Sequence, residues 1–419
     1  MLAKGERRSV LRFIYYCCKL APFQTHVNLS GWSLEESGKS RRWMSFVSYN
    51  HYLLHLLFKL VSLLYVFAFE HETPVHHMIL HLGLAFGYVL TLFWHFTAYV
   101  KNLDLHKDLV QMILKPVSVD GKDCILAFQI KYMCLASSDT VWCLNFPEPK
   151  KVQKGWLGRL LGYSPQDAIV LCMPFTTAAV FSGYVIYCWL DSSGLYLYYN
   201  FLPDRYKTRL LLGICLVQEF QCLMYTIAVV GPILQLQVIA FDDIRWRLGM
   251  IFQNLNTTCS SYGKQQAERD LMSIKELQMY VLLVNKVNCY LIFTLKLYGI
   301  GYCVGTGYVA VAHLDKHGFL GVMCCLLCMN IGMVYSLVYQ KGFEVQSMFA
   351  KDVQAMLRIL KRDGCNVKGL CNSVMRRQLA SVPSVGIKVG NFHTLETTST
   401  PLFLICVVRN IVRMLVIYN

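Results

Sequence analysis

The sequence predicts an all-α integral membrane protein with seven transmembrane helices, a cytosolic amino terminus, an extracellular carboxyl terminus and helical extensions on the cytosolic side. Three observations carry this. The 419 residues are 55% hydrophobic and only 16% charged, with a mean hydropathy of +0.41, too little polar surface for a soluble globule of this size. The apolar residues gather into runs near the roughly 17 to 25 residues that a helix needs to cross hydrocarbon. Basic residues, finally, alternate between the connections in a way that assigns a side to each.

The start, MLAKGERRSVLRFIYYCCKLAPF, is basic, but its apolar run is broken by Arg12 and Lys19 and lacks a cleavage site. It predicts no signal peptide, and residues 1–44 read as a cytosolic segment. Apolar windows then place spans over 45–69, 76–100, 168–190, 209–240, 285–312, 318–340 and 400–419. Between them alternate long connections (101–167, 241–284, 341–399) and short ones (70–75, 191–208, 313–317). The amino-terminal segment and the long connections hold 31 Lys and Arg against 3 in the short ones. Positive charge resists translocation, so the long connections are expected in the cytosol. The sequons at Asn28 and Asn256 fall on that side and are expected to carry no glycan. The net charge of +15 follows from the same asymmetry, facing an anionic leaflet, and needs no nucleic acid.

Two cytosolic stretches mix charged and apolar residues at helical spacing. In 243–283 the apolar series is Leu248, Ile251, Phe252, Leu255 and then Leu271, Ile274, Leu277; in 342–379 it is Val345, Phe349, Val353, Met356, Leu357, Leu360. Both are expected as helices continuing below the membrane from the fourth and sixth spans. The chain thus divides into the segment 1–44, six helices with their connections over 45–340, a helical anchor region over 341–399 and a final span over 400–419.

An inverted seven-helix topology with cytosolic extensions and a span that ends the chain resembles the insect gustatory and odorant receptor superfamily. The sequence likeness concentrates in RRQLASVPSVGIKVGNFHTLETTSTPLFLICVVRNIVRML, Arg376 to Leu415, which is similar to that family's passage from a cytosolic helix into the last span. The gustatory hallmark Thr-Tyr, five hydrophobic residues, then Gln is not kept: Thr400 is followed by Pro401. The resemblance implies a ligand-gated ion channel of the plasma membrane, a homo- or hetero-tetramer of related subunits, with the last span lining a central pore and a small organic tastant or odorant bound among outer helix halves. A secondary transporter and a non-conducting scaffold related to the receptors are the alternatives; no internal repeat supports the transporter.

Candidate residues follow from depth and chemistry. Arg409 and Arg413, one turn apart on the last span, read either as a charged pore wall with Asn410 or as an arginine that snorkels and another paired with a neighbouring helix. If they face a pore they oppose cations. Glu219 and Lys296 lie near mid-membrane depth on the fourth and fifth spans and are expected to form an ion pair. His76, His77, His81, Tyr184, Tyr187, Trp189, Gln218, Gln221, Tyr225, Tyr302 and Tyr308 fall in outer helix halves, where they serve either as polar anchors of an organic ligand or as packing and interfacial groups. No metal site or cofactor is expected: the histidines read as interfacial, and the CxxC of Cys325 and Cys328 sits in an apolar run without a second pair. Gly301 and Gly305 have small-xxx-small spacing for close helix contact. No Walker A, HExxH or GxSxG pattern supports an enzyme.

Overall fold

The computed structural model describes residues 25–28, 33–36, 39–69, 74–98, 109, 165–193, 197–257, 264–315, 318–362, 369–383, 385–391, 393–396 and 398–418. Most of the expected amino-terminal segment and nearly all of the connection 101–167 lie outside them. A short hairpin, β1 (Thr25–Asn28) with β2 (Ser33–Glu36), precedes the helices. The long elements are α1 (Lys39–Phe69), α2 (Val75–Phe96), α3 (Pro165–Leu190), α4 (Arg209–Thr257), α5 (Lys264–Ala312), α6 (Gly318–Met333) and α10 (Ser399–Tyr418). Between α6 and α10 come a π-helical turn (Val334–Val338), α7 (Tyr339–Phe343), α8 (Val345–Arg362), α9 (Gly369–Ala380) and the two-residue strands β3 (Lys388–Val389) and β4 (His393–Thr394).

Each expected span falls on one long element, and six of the seven helices are long and apolar enough to cross a membrane. The seventh, α3, has a shorter described apolar stretch, Phe175–Leu190. Only a helix satisfies every backbone donor and acceptor inside its own segment in hydrocarbon, so windows of this composition have little other choice. The protein is an all-α, multi-pass membrane protein. The fourth span runs unbroken through Pro232 to Thr257, as its periodicity predicts. The second half of 243–283 belongs to α5 rather than to the fourth span's extension, because helix resumes at Lys264 and runs directly into the fifth span. The sixth span is α-helical only to Met333, where it widens into the π-turn.

Two apolar cores stack along the bundle. One joins α1, α2, α3 and α6 to the ends of α4 and α5 nearest the short connections, through residues such as Leu56, Tyr88, Leu223 and Tyr308. The other joins the opposite ends of α4 and α5 to the π-turn, α7, α8 and the base of α10, through Phe241, Val284, Tyr339, Phe349 and Phe403. In α8 the predicted apolar series lands on this core, with Val345, Phe349, Met356 and Leu360 buried. The link into α10 is stitched to α5: Asn285 donates to the Gly386 carbonyl at 2.9 Å and accepts from the Lys388 amide at 2.8 Å. Gly390, at φ 58°, turns β3 into β4 in the left-handed region and donates to the Cys289 carbonyl.

Candidate functional site

A cavity of about 20 Å³, room for little more than one water, opens among α2, α3, α4, α5 and α6 near the short-connection end. Helical spacing assembles it. Leu80 and Leu84 come from one face of α2; Phe181, Tyr184 and Tyr187 from one face of α3; Leu320, Met323, Cys324 and Leu327 from one face of α6. Leu223 and Tyr302 close it from α4 and α5. The walls are almost wholly apolar and include the side chains of three tyrosines, the kind of surface against which a small organic molecule packs.

Of the eleven outer-half residues expected as ligand contacts, the structure brings Tyr184, Tyr187 and Tyr302 together here. The Tyr187 hydroxyl donates to Asp191 at 3.2 Å. The histidines are elsewhere: His76 lies against the His313 ring with centroids 4.6 Å apart, His77 is 3.8 Å from Asp191, and His81 donates to the Lys59 carbonyl at 2.8 Å. Tyr225 meets His95 at 3.0 Å and Tyr308 lies edge-on to Tyr418. Trp189 and Gln221 are exposed on the outside of the bundle and Gln218 is half-buried. A residue's depth in a span is a linear reading, whereas its facing depends on packing.

The cavity is small because neighbours fill it. A Cβ on Gly183 would stand 2.8 Å from Met323 Sδ, and one on Gly83 would stand 2.9 Å from the Tyr302 ring. Met323 is a flexible thioether and yields readily; the Tyr302 ring, packed beside Tyr298 at 5.2 Å, yields less. Gly83→Ala is therefore expected to tip Tyr302 toward the cavity. If ligand binds there, half-maximal responses move to concentrations about tenfold higher, an effect of about 1.4 kcal/mol, while surface expression is kept. An unchanged concentration–response curve would place the ligand elsewhere. The expected close helix contact on α5 is at Gly305, where a Cβ would stand 2.9 Å from Ile79 of α2, and not at Gly301, where a Cβ would meet nothing within 4 Å.

Beside the cavity lies a buried charge cluster. Glu219 does not pair with Lys296. Its Oε2 accepts from Lys59 Nζ at 2.9 Å and lies 3.1 Å from His55 Nε2, and its Oε1 accepts from the Tyr88 hydroxyl at 2.8 Å. Lys59 is 0% exposed and Glu219 1%. Lys296 instead has its Nζ 3.1 Å from His393 Nε2, at the base of α10. Lys59 is fully buried beside Glu219, whereas Lys296 is half-buried and turned toward the link below α10. A signal for the true partner was present: Tyr52, His55, Lys59 and Ser62 recur at spacings of three and four, a polar stripe on one face of an apolar helix. Other members of the stripe are also bonded, Tyr52 to Thr226 at 2.7 Å and His55 through Nδ1, 3.1 Å from the Tyr198 hydroxyl. A carboxylate with these partners, buried to 1% exposure, ties α1, α2 and α4 together.

The last helix stands apart. Only 11% of the apolar window of α10 is buried, against 39–72% for the other five candidate spans. Phe403 and Val407 attach it to the body, and Phe403 stacks on Tyr335 of the π-turn with centroids 4.3 Å apart. Asn410 donates to its own helix at the Cys406 carbonyl, 2.8 Å away, while Arg409 and Arg413 are exposed.

No protein-family model and no curated protein matches the sequence. Solved structures do match. The insect olfactory receptor OR5 from Machilis hrabei superposes with a TM-score of 0.66 at 11% identity, covering 98% of this chain and 99% of that one. The same receptor in complex with eugenol superposes with a TM-score of 0.70 at 10% identity, covering 98% of each chain. From the first helix to the last, this chain has the fold of the insect olfactory receptors.

Proposed function

We propose that the chain is a chemosensory receptor of the plasma membrane that acts as a ligand-gated ion channel, opened by a small organic odorant or tastant. The observation that carries this reading is the superposition, over 98% of both chains, on a receptor captured with eugenol. The cavity among α2, α3, α4, α5 and α6 is the site we assign to the ligand, and α10 the wall of a path at the axis of a tetramer, with the long connections in the cytosol. A drug-sized pocket needs roughly 300 Å³ or more, so binding expands the cavity, with Met323 and Tyr302 moving first.

The route to α10 is short. The α6 residues that wall the cavity continue into the π-turn, a feature that recurs at functional sites, and Tyr335 in that turn stacks on Phe403. A ligand that shifts α6 thereby favours a displaced α10, provided it binds that state more tightly. Whole-cell current from cells expressing this chain, under a panel of odorants and tastants that includes phenolic compounds, tests the reading. Ligand-evoked current that Tyr335→Ala uncouples from binding is the expected result. Silence with confirmed surface expression, alone and with related subunits, would refute it.

A further inference from the structure

We infer that His393 and Lys296 form a proton-sensitive latch between α5 and the base of α10, closed while the imidazole is neutral and released when cytosolic acid protonates it. Lys296 Nζ stands 3.1 Å from His393 Nε2. Two nitrogens at that distance share one proton. A lysine holds it by preference, since its ordinary value of about 10.4 lies far above the roughly 6.5 of an imidazole. The ammonium therefore donates and Nε2 accepts, which only the neutral ring can do. A proton added to the ring removes the acceptor and sets two cations against each other at contact distance.

The surroundings sharpen the effect. Among the described residues no carboxylate acts on Lys296, and the titratable group of α10 that does so is the Cys406 thiol. On His393, partial burial and the Lys296 ammonium hold the imidazole below its ordinary 6.5, against the pull of the Glu396 carboxylate. Lys296 is half-buried, whereas His393 is exposed, so a proton reaches the ring without any opening of the fold. The latch is whole at pH 7.5 and is lost progressively as pH falls below 6.5.

Position gives the pair its leverage. His393 lies in β4, and the chain passes from there through Glu396 into α10 at Ser399. The rest of the attachment is neutral. The Gly390 amide donates to the Cys289 carbonyl at 2.8 Å, Asn285 bonds Gly386 and Lys388, and Asn391 donates to the Tyr290 hydroxyl at 3.0 Å. Histidine is the side chain whose ordinary charge change falls between pH 5 and 8. Among the described contacts that join this hairpin to α5, the one through His393 is therefore the one that cytosolic pH alters.

Amide exchange of the full-length protein in nanodiscs tests the latch without reference to current. Protection of the Gly390 and Lys388 amides, corrected for the intrinsic dependence of exchange on pH, should fall about threefold or more from pH 7.5 to 5.5 in the parent. It should stay level in His393→Gln, whose amide oxygen accepts at any pH, and in Lys296→Met, which removes the opposing charge. In His393→Lys it should be low at both pH values. Unchanged protection in the parent, or an equal fall in His393→Gln, overturns the latch. For its effect on current the inference rests on the receptor-channel reading. Acid at the cytosolic face of an excised patch should raise the current evoked by a half-maximal ligand concentration in the parent and leave His393→Gln unchanged, because a freed base favours the displaced α10. A current that acid lowers, or raises equally in both, overturns the coupling to α10. Protection lost in the parent alone, with no evoked current from any variant, leaves the latch standing and sinks the receptor-channel reading instead.

Discussion

Glu219→Gln is expected to abolish most of the folded protein, and Lys59→Met combined with it to restore much of what is lost. The glutamine is nearly isosteric, so the effect is one of charge: it leaves the Lys59 ammonium, 0% exposed, without the carboxylate 2.9 Å away. Breaking a buried pair from one side costs about 3 to 5 kcal/mol, whereas replacing both charges by neutral groups of similar volume is often nearly neutral. Marginal stability makes the single change decisive. Lys59→Met alone should cost less than Glu219→Gln, because His55 at 3.1 Å and Tyr88 at 2.8 Å still serve the carboxylate. Monodisperse yield and melting temperature in detergent measure all three. A Glu219→Gln protein as stable as the parent would show that the cluster contributes no lock, and a double variant as poor as the single would show that the geometry, not the charge, matters.

That cluster also marks the boundary of what the sequence discloses. Span position is a one-dimensional property, set by how many apolar residues lie in a row, and the windows at 45–69, 209–240 and 400–419 are legible for that reason. Helical continuation beyond the membrane is legible too, because Phe349, Met356 and Leu360 repeat at the helical period. Facing is three-dimensional. Glu219 and Lys296 each fall inside an apolar window and fail to meet, because Glu219 bonds to Lys59 and Tyr88 while Lys296 reaches His393 at the base of α10, and His76, His77 and His81 belong to the same end of the bundle as the tyrosines yet turn to His313, Asp191 and the Lys59 carbonyl. The hairpin of β3 and β4 offers two residues per strand, too few for an alternating pattern, and is held by Asn285, a hundred positions away in the chain. The π-turn leaves no compositional trace.

The arrangement has a consequence for coupling. The charge cluster pins α1, α2 and α4 to one another, while the cavity is closed on its other side by α6, whose polar ties among the described residues are neutral: Asn330 donates to Thr177 at 3.2 Å, and the Cys328 and Cys303 thiols each donate to the other's carbonyl, at 3.4 and 3.5 Å. Motion on ligand binding should therefore fall on α6 and pass to the π-turn, with the α1–α2–α4 group as the fixed frame. A frame held by buried ion pairs beside a wall held chiefly by apolar packing is an arrangement in which two packings can exchange.

Asp352→Asn, in contrast, is expected to stabilise, and to do so increasingly as pH rises above the ordinary carboxyl range. Asp352 sits on the inward face of α8, three residues after Phe349 and four before Met356, and is 3% exposed. Its Oδ2 makes no hydrogen bond among the described residues. Burial pushes the carboxyl up from 3.8 to about 7. The sign follows from linkage. Below about pH 4 the group is protonated whether the chain is folded or not, and it contributes no penalty. As pH rises toward about 7 the unfolded chain ionises first, so the folded state loses stability progressively; above about 7 both are ionised and the penalty is complete, with an upper bound of about 4 kcal/mol. The neutral asparagine escapes all of it. Melting temperatures of the two proteins, measured in detergent from pH 5 to pH 8.5, should draw apart as pH rises and run parallel above neutrality, the variant higher. Curves that coincide throughout would mean that a cation of a neighbouring subunit reaches Asp352 in the assembly, and a variant that is less stable at every pH would mean that the carboxylate is a bonding partner there rather than an intruder in the core.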